Sequence, residues 1–178
     1  MSHYDPVEKV WSGPIQPPIY NPDANLGYLI LNNLKTTPDR VVQVNNDTGV
    51  EVNCKELYER SVKIIKYFKT LDVAQNDVVG VLAISSENLY AAAIACLTLG
   101  LPMNPLSYLM KTEDLAYMWS LTKPKIIICG SEFFEVAKEA VDVIKLDCKI
   151  ITLTSKIEGY QFIDDVVTED DSEIDKFM

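Results

Sequence analysis

Histidine is almost missing from this sequence of 178 residues: the only one is His3. It stands near the N-terminus, where chains fray. A positioned imidazole is thereby excluded from the body of the fold. Ser-His-Asp and Cys-His catalysis go with it, as do zinc sites built on histidine. Glycine is scarce too. Gly13, Gly27, Gly49, Gly80, Gly100, Gly130 and Gly159 are the full set, and they are widely separated. Neither G-x-G-x-x-G nor G-x-x-x-x-G-K-[ST] occurs. A backbone cradle for phosphate needs closely spaced glycines, because side chains block the approach.

The four cysteines, Cys54, Cys96, Cys129 and Cys148, contain no Cys-x-x-Cys pair. Cys96 and Cys129 lie inside apolar runs and read as buried thiols. Cys54 falls at an expected helix start, where a thiolate is favoured, although a structural thiol is the commoner outcome. Positive charge is in deficit: 16 Lys+Arg stand against 26 Asp+Glu, a net of −10. Such a chain is a poor binder of phosphate backbones, so no nucleic-acid partner is expected. The longest apolar stretch, Leu89–Met103, contains Thr98, Gly100 and Pro102. It falls short of the ~18 apolar residues of a membrane span. Asp5, Glu8, Pro14, Pro17 and Pro18 interrupt any signal-peptide core. The chain ends Lys-Phe-Met, which is not a peroxisomal tripeptide. A cytoplasmic chain with unpaired thiols is the expectation.

Hydrophobic residues make up 48% and charged residues 24%, which argues for a globular fold rather than disorder or coiled coil. The acidity is uneven. Residues 164–178 carry seven acids and one lysine, a net of −6, leaving −4 for the rest. This segment reads as a solvated acidic tail. At the other end, residues 1–25 hold Trp11, Pro14, Pro17, Pro18, Tyr20 and Pro22, and read as an extended arm.

Between them lies the pattern of an α/β domain, residues 26–163. Leu26–Leu34 is a short apolar helix. Val41–Val44 and Val50–Val52 flank Asn45-Asn46-Asp47-Thr48-Gly49 and predict an antiparallel hairpin. Asn53 with Glu56 forms a capping box for the next helix, whose apolar stripe is Leu57, Ser61, Ile64, Phe68 and Leu71. Four apolar runs of strand type follow: Val78–Ile84, Leu101–Asn104, Lys125–Cys129 and Lys149–Leu153. Helices are expected between them over Asn88–Leu99, from Thr112 as cap to Leu121, and from Ser131 to Leu146. Strands alternating with helices predict right-handed βαβ crossovers and a parallel sheet.

Ligands of open α/β sheets bind beyond the carboxyl ends of strands. Two corners stand there. Ser85-Ser86-Glu87-Asn88 offers hydroxyls and free N–H groups to an anion, or a serine that caps the helix. Asn104-Pro105-Leu106-Ser107 is either a second corner or a turn closing a strand, with Tyr108 beside it. Glu113 and Asp114 are adjacent in a helix, so they diverge and support its dipole rather than share a ligand. The acids Asp164, Asp165, Glu169, Asp170, Asp171, Glu173 and Asp175 lack EF-hand spacing.

Four segments in order look familiar: "WSGPIQPPIYNPDANLGYLILNNL", "ELYERSVKIIKYFKTLDVAQNDVVGV", "ISSENLYAAAIACLTLGLPMNPLS" and "DLAYMWSLTKPKIIIC". Together they resemble the N-terminal part of adenylate-forming acyl-CoA synthetases, the AMP-binding enzymes. The nearest look is the insect luciferase-like and 4-coumarate–CoA-ligase-like branch. The resemblance implies that residues 26–163 are a partial AMP-binding domain. It implies a complete enzyme that activates a carboxylic acid with ATP and magnesium to an acyl-adenylate. Most such enzymes then pass the acyl group to coenzyme A. The family's Ser/Thr/Gly-rich phosphate loop, ending Gly-x-x-Lys-Gly, has no counterpart among these 178 residues. Nor have its ribose-binding Asp and its lid Lys. No catalytic, cofactor-binding or metal residue of the family therefore maps onto a position here. The resemblance implies two roles: an N-terminal fragment inactive alone, or a non-catalytic truncated paralogue acting as an interaction module. Uncovered sheet edges and apolar patches would favour self-association or pairing with a full-length paralogue. A peroxisomal address is expected only of a full-length form.

Overall fold

The computed structural model describes residues 2–14, 17 and 19–168. Its centre is a five-stranded sheet of β5 (Val79–Leu82), β6 (Met103–Pro105), β7 (Ile126–Cys129), β8 (Lys149–Thr152) and β9 (Gln161–Phe162). The order is β6-β5-β7-β8-β9 and every pair is parallel. All four residues of β5 and of β7 are buried. Their continuous apolar runs are what a strand covered on both faces requires.

Alternation along β7 splits the interior in two. Ile126 and Ile128 enter one core with Leu31, Val62, Ile64 and Phe68. Ile127 and Cys129 enter the other with Leu115, Trp119 and Phe134. The first core is roofed by α1 (Leu26–Thr36), α2 (Cys54–Thr70), α3 (Glu87–Leu99) and α6 (Ile163–Thr168). The second is covered by α4 (Thr112–Thr122) and α5 (Phe134–Ile144). This is the α/β class, with parallel βαβ units. The antiparallel hairpin stands before them as β3 (Val41–Val44) and β4 (Glu51–Asn53). Asn45 builds its turn by accepting from the Asp47 and Thr48 amides at 3.0 and 3.1 Å.

The capping box at α2 forms as its sequence requires. Glu56 N–H donates to Asn53 Oδ1 at 2.9 Å, and Asn53 N–H donates to Glu56 Oε2 at 3.0 Å. Where α1 crosses α3 the backbones nearly touch. A Cβ on Gly27 would lie 2.3–2.5 Å from Thr98 atoms, two of them backbone.

Several expectations are corrected. Thr112 is the first residue of α4 and not its cap; Lys111 holds that position, and the Thr112 hydroxyl donates to Glu139 at 2.8 Å. Ser131 opens a 3₁₀ turn over Ser131–Phe133, and α5 begins only at Phe134. The N-terminal arm contains a hairpin of its own, β1 (His3–Asp5) with β2 (Val10–Ser12). The acidic segment does not leave the fold at Asp164. Ile163 and Val166 are buried as α6 docks. Asn88 Nδ2 donates to Asp164 Oδ1 at 2.5 Å, and Lys63 donates to the Val167 carbonyl at 2.8 Å. The acids from Glu169 onward lie outside the described residues. Among the described residues no helix is long and apolar enough to cross a membrane.

Candidate functional site

The strand order reverses its direction of growth between β5 and β7. A doubly wound sheet offers its ligand crevice at such a point. The residues there are Ala83–Ser85 after β5 and Gly130–Glu132 after β7. The β7 side is closed by its own hydrogen bonds. Ser131 Oγ donates to the Ser155 carbonyl at 2.6 Å and accepts from Ser155 N–H at 2.9 Å. Ser131 N–H donates to Thr154 Oγ1 at 2.8 Å, and that hydroxyl donates to Glu132 Oε2 at 2.7 Å. The Ser131 amide and hydroxyl and the Thr154 hydroxyl, the donors nearest an anion on this side, are already engaged.

The residues present do not fit the phosphates that the family resemblance implies. Gly130 is the glycine at this corner, yet a Cβ there would meet the Glu132 carboxylate at 2.7–2.9 Å. The space is filled by negative charge. Gly80 and Gly100 are spoken for as well. A Cβ on the first would meet Trp119 Nε1 at 3.1 Å, and on the second Gln75 at 3.0 Å. Among the described residues no group of three or more His, Cys, Asp or Glu side chains is placed to hold a metal ion. No chemical step is derived through ATP, magnesium or coenzyme A.

The other expected corners resolve differently. Ser86 sits at the N-cap of α3, but its side chain makes no capping bond. Its hydroxyl is buried without a partner. Asn88 is buried and spans Arg60 Nη1, from which it accepts at 3.1 Å, and Asp164. Asn104 Oδ1 accepts from Thr122 Oγ1 at 3.1 Å, so that corner is structural. Tyr108 stacks on Phe133 with ring centroids 5.4 Å apart. Glu113 and Asp114 stand in the first turn of α4. Cys54 is the buried first residue of α2, 3.8 Å from Thr37 Oγ1. Burial pushes the Cys96 and Cys129 thiols up to about 12 and Cys148 to about 11.

An open groove of about 730 Å³ adjoins the β5 end of the β5–β7 corner, between the β3–β4 hairpin and α3, with Ser85, Ser86 and Glu87 in its lining. Its walls are Val42, Gln43 and Val44 on one side and Tyr90, Ala93, Ile94 and Leu97 on the other. The Gln43 amide Nε2 donates to the Ser86 carbonyl at 3.4 Å and ties the two walls together. Gln43 Oε1 and Ser86 Oγ are buried here with no partner. Sequence reasoning reached Ser86 and missed Gln43. The hairpin signal gives strand and turn but not which residue faces a helix distant in sequence.

Comparison with known proteins bears on the whole arrangement. The sequence model of the AMP-binding enzyme family matches residues 31–175. Luciferin 4-monooxygenase of Photuris pensylvanica is 24% identical over 131 residues, covering 72% of this chain and 24% of that protein. Peroxisomal benzoate–CoA ligase of Arabidopsis thaliana is 26% identical over 89 residues, 50% of this chain and 15% of the ligase. Among solved structures, the luciferase-like enzyme of the nonluminescent mealworm Zophobas morio superposes with a TM-score of 0.77 at 19% identity. It covers 86% of this chain and 37% of that one. The chain thus spans about a quarter of the luciferin 4-monooxygenase and less of the ligase. Matched over most of its length, this chain belongs to the AMP-binding enzyme family and corresponds to the N-terminal portion of the adenylate-forming fold.

Proposed function

We propose that this chain supplies the N-terminal α/β scaffold of an ATP-dependent acid–thiol ligase or luciferase-like enzyme, and that it does not adenylate an acid alone. The complete protein would join a carboxylic acid to AMP and then to coenzyme A. The observation behind this reading is the corner at β5 and β7, where Ser131 and Thr154 are engaged internally and Glu132 fills the space beside Gly130. ATP–pyrophosphate exchange tests it. The purified 178-residue chain, offered benzoate, 4-coumarate or a long-chain fatty acid, should show none above background. Exchange above background would refute it.

A second reading is favoured by the open groove between the β3–β4 hairpin and α3. In it the chain acts as an interaction module that pairs with a full-length paralogue. Capture of a purified full-length relative would support that role, and its absence at micromolar concentrations of both would count against it.

A further inference from the structure

The chain changes faces of the sheet at β9. Just before it, Tyr160 packs edge-on against Phe134, with ring centroids 4.5 Å apart, on the second core. Just after it, Ile163 is fully buried in the first core and Val167 packs against that core. Residues 161–168 therefore wrap round the outer side of β8 as a strap. The ladder beneath the strap is short. Two residue pairs join β9 to β8, Ile151 with Gln161 and Thr152 with Phe162. Four pairs join β7 to β8.

The strap has little stability of its own. α6 has six residues, whereas an isolated helix needs about 12–15 to be even marginal in water. It is held by what it touches on the body. Ile163 and Val166 are buried. Lys63 Nζ donates to the Val167 carbonyl at 2.8 Å. Lys156 Nζ pairs with Asp165 Oδ2 at 2.6 Å, but both side chains are exposed and such pairs contribute little.

The contact between Asn88 and Asp164 is of another kind. Asn88 is 5% exposed in the first turn of α3. The other buried residues of that helix are apolar except Thr98, which bonds back to the Ile94 carbonyl of its own helix. A buried side-chain amide is costly unless both its ends are bonded. The Asn88 oxygen accepts from Arg60 Nη1 at 3.1 Å, and its nitrogen donates to Asp164 Oδ1 at 2.5 Å. The partner on the strap is a carboxylate, and bonds to ionised groups are the stronger ones. A polar residue set in an apolar helix, and bonded to the strap, is a catch.

We propose that β9 and α6 form a strap that opens as a unit while the rest of the fold stays closed, with the Asn88–Asp164 bond as its catch. Opening bares the edge of β8 at Ile151 and Thr152, together with the seat of Ile163. Native-state amide hydrogen exchange on the 178-residue chain, followed by NMR at sub-denaturing urea concentrations, tests this. After correction for intrinsic rates, the hydrogen-bonded amides of residues 161–168 should exchange about a hundredfold or more faster than those of β7. Their urea dependence should be shallow, because little surface opens. Two kinds of variant separate the strap from global unfolding. Asp164→Ala removes a half-buried partner and should speed strap exchange about tenfold or more. Asn88→Ala should do so too, and the two together should add little to Asn88→Ala alone. Val141→Ala, in the second core, destabilises the closed and the strap-open forms alike. It should speed β7 exchange about tenfold and leave the strap unchanged. Strap amides that exchange at the β7 rate with the same urea dependence would overturn the proposal. So would a Val141→Ala variant that speeds the strap as much as β7, or an Asp164→Ala variant whose strap exchanges at the wild-type rate. The measurement uses no ATP, acid or partner, so its outcome is independent of the pyrophosphate-exchange assay and of the capture experiment.

Discussion

Asp77 shows how one side chain couples this fold to pH. Its carboxylate accepts from Ala74 N–H at 2.7 Å and lies 3.3 Å from Lys125 Nζ. The Ala74 hydrogen bond is the chief reason that its pKa lies below the usual value, with Lys125 adding to it. A depressed folded pKa contributes stability above the ordinary carboxylate range and loses it as pH falls through the folded value. Asp77→Ala should therefore lower the urea midpoint at neutral pH, and the gap to wild type should close in acid. An equal gap at pH 3 would contradict this. The thiols act at the other end of the scale. Unfolded thiols ionise near 9.0, whereas Cys96 and Cys129 in the fold ionise near 12. The unfolded chain loses those protons first, so stability should fall as pH rises above about 9. At pH 8 a disulfide reagent should modify Cys96 and Cys129 in the native state only as fast as the fold opens. Rapid native labelling of either would be incompatible with their burial. Both thiols were legible in the sequence from their apolar surroundings, but the hydrogen bond at Asp77 was not.

At the scale of elements, the α1–α3 crossing makes the sharpest prediction. Alanine normally improves on glycine in a helix by about 1 kcal/mol. Gly27→Ala should instead destabilise by about 1–3 kcal/mol or more, because the new Cβ meets Thr98 at 2.3–2.5 Å. Thr98→Ala should not rescue it, since two of the three atoms met are backbone. Gly13→Ala, which meets nothing within 4 Å, is the control. Thermal or urea denaturation decides; a neutral Gly27→Ala would mean that the helices do not cross this closely. The elements best legible in the sequence were those with local causes. The Asn53–Glu56 box, the Asn45 turn and the continuous runs of β5 and β7 all formed where side-chain chemistry placed them. The misplacements had non-local causes. Ser131 looked like the start of a helix and instead opens a 3₁₀ turn and bonds Ser155 beyond β8. Residues 164–168 looked like solvated tail, yet they continue a helix that docks on α2, with Ile163 and Val167 packed into the first core. Composition weighs the charges of such a segment and not the surface awaiting its apolar residues.

At the scale of the whole molecule, the sheet sets where a ligand could stand. The carboxyl ends of β5 and β7 stand where a doubly wound sheet places ligands, and this chain fills the β7 side of that corner with serine, threonine and glutamate. The fold was legible because continuous apolar strand runs and strand–helix alternation are written locally. The groove was not, because Gln43 and Ser86 are far apart in sequence and only the docking of the hairpin on α3 brings them together. The central proposal is that this chain carries the scaffold of an AMP-binding enzyme and does not adenylate an acid alone. ATP–pyrophosphate exchange on the purified 178-residue chain, run on a sample first shown to unfold cooperatively, tests it most directly. The account predicts a folded protein with exchange at background for every acid offered. Acid-dependent exchange above background from that same folded sample would contradict it.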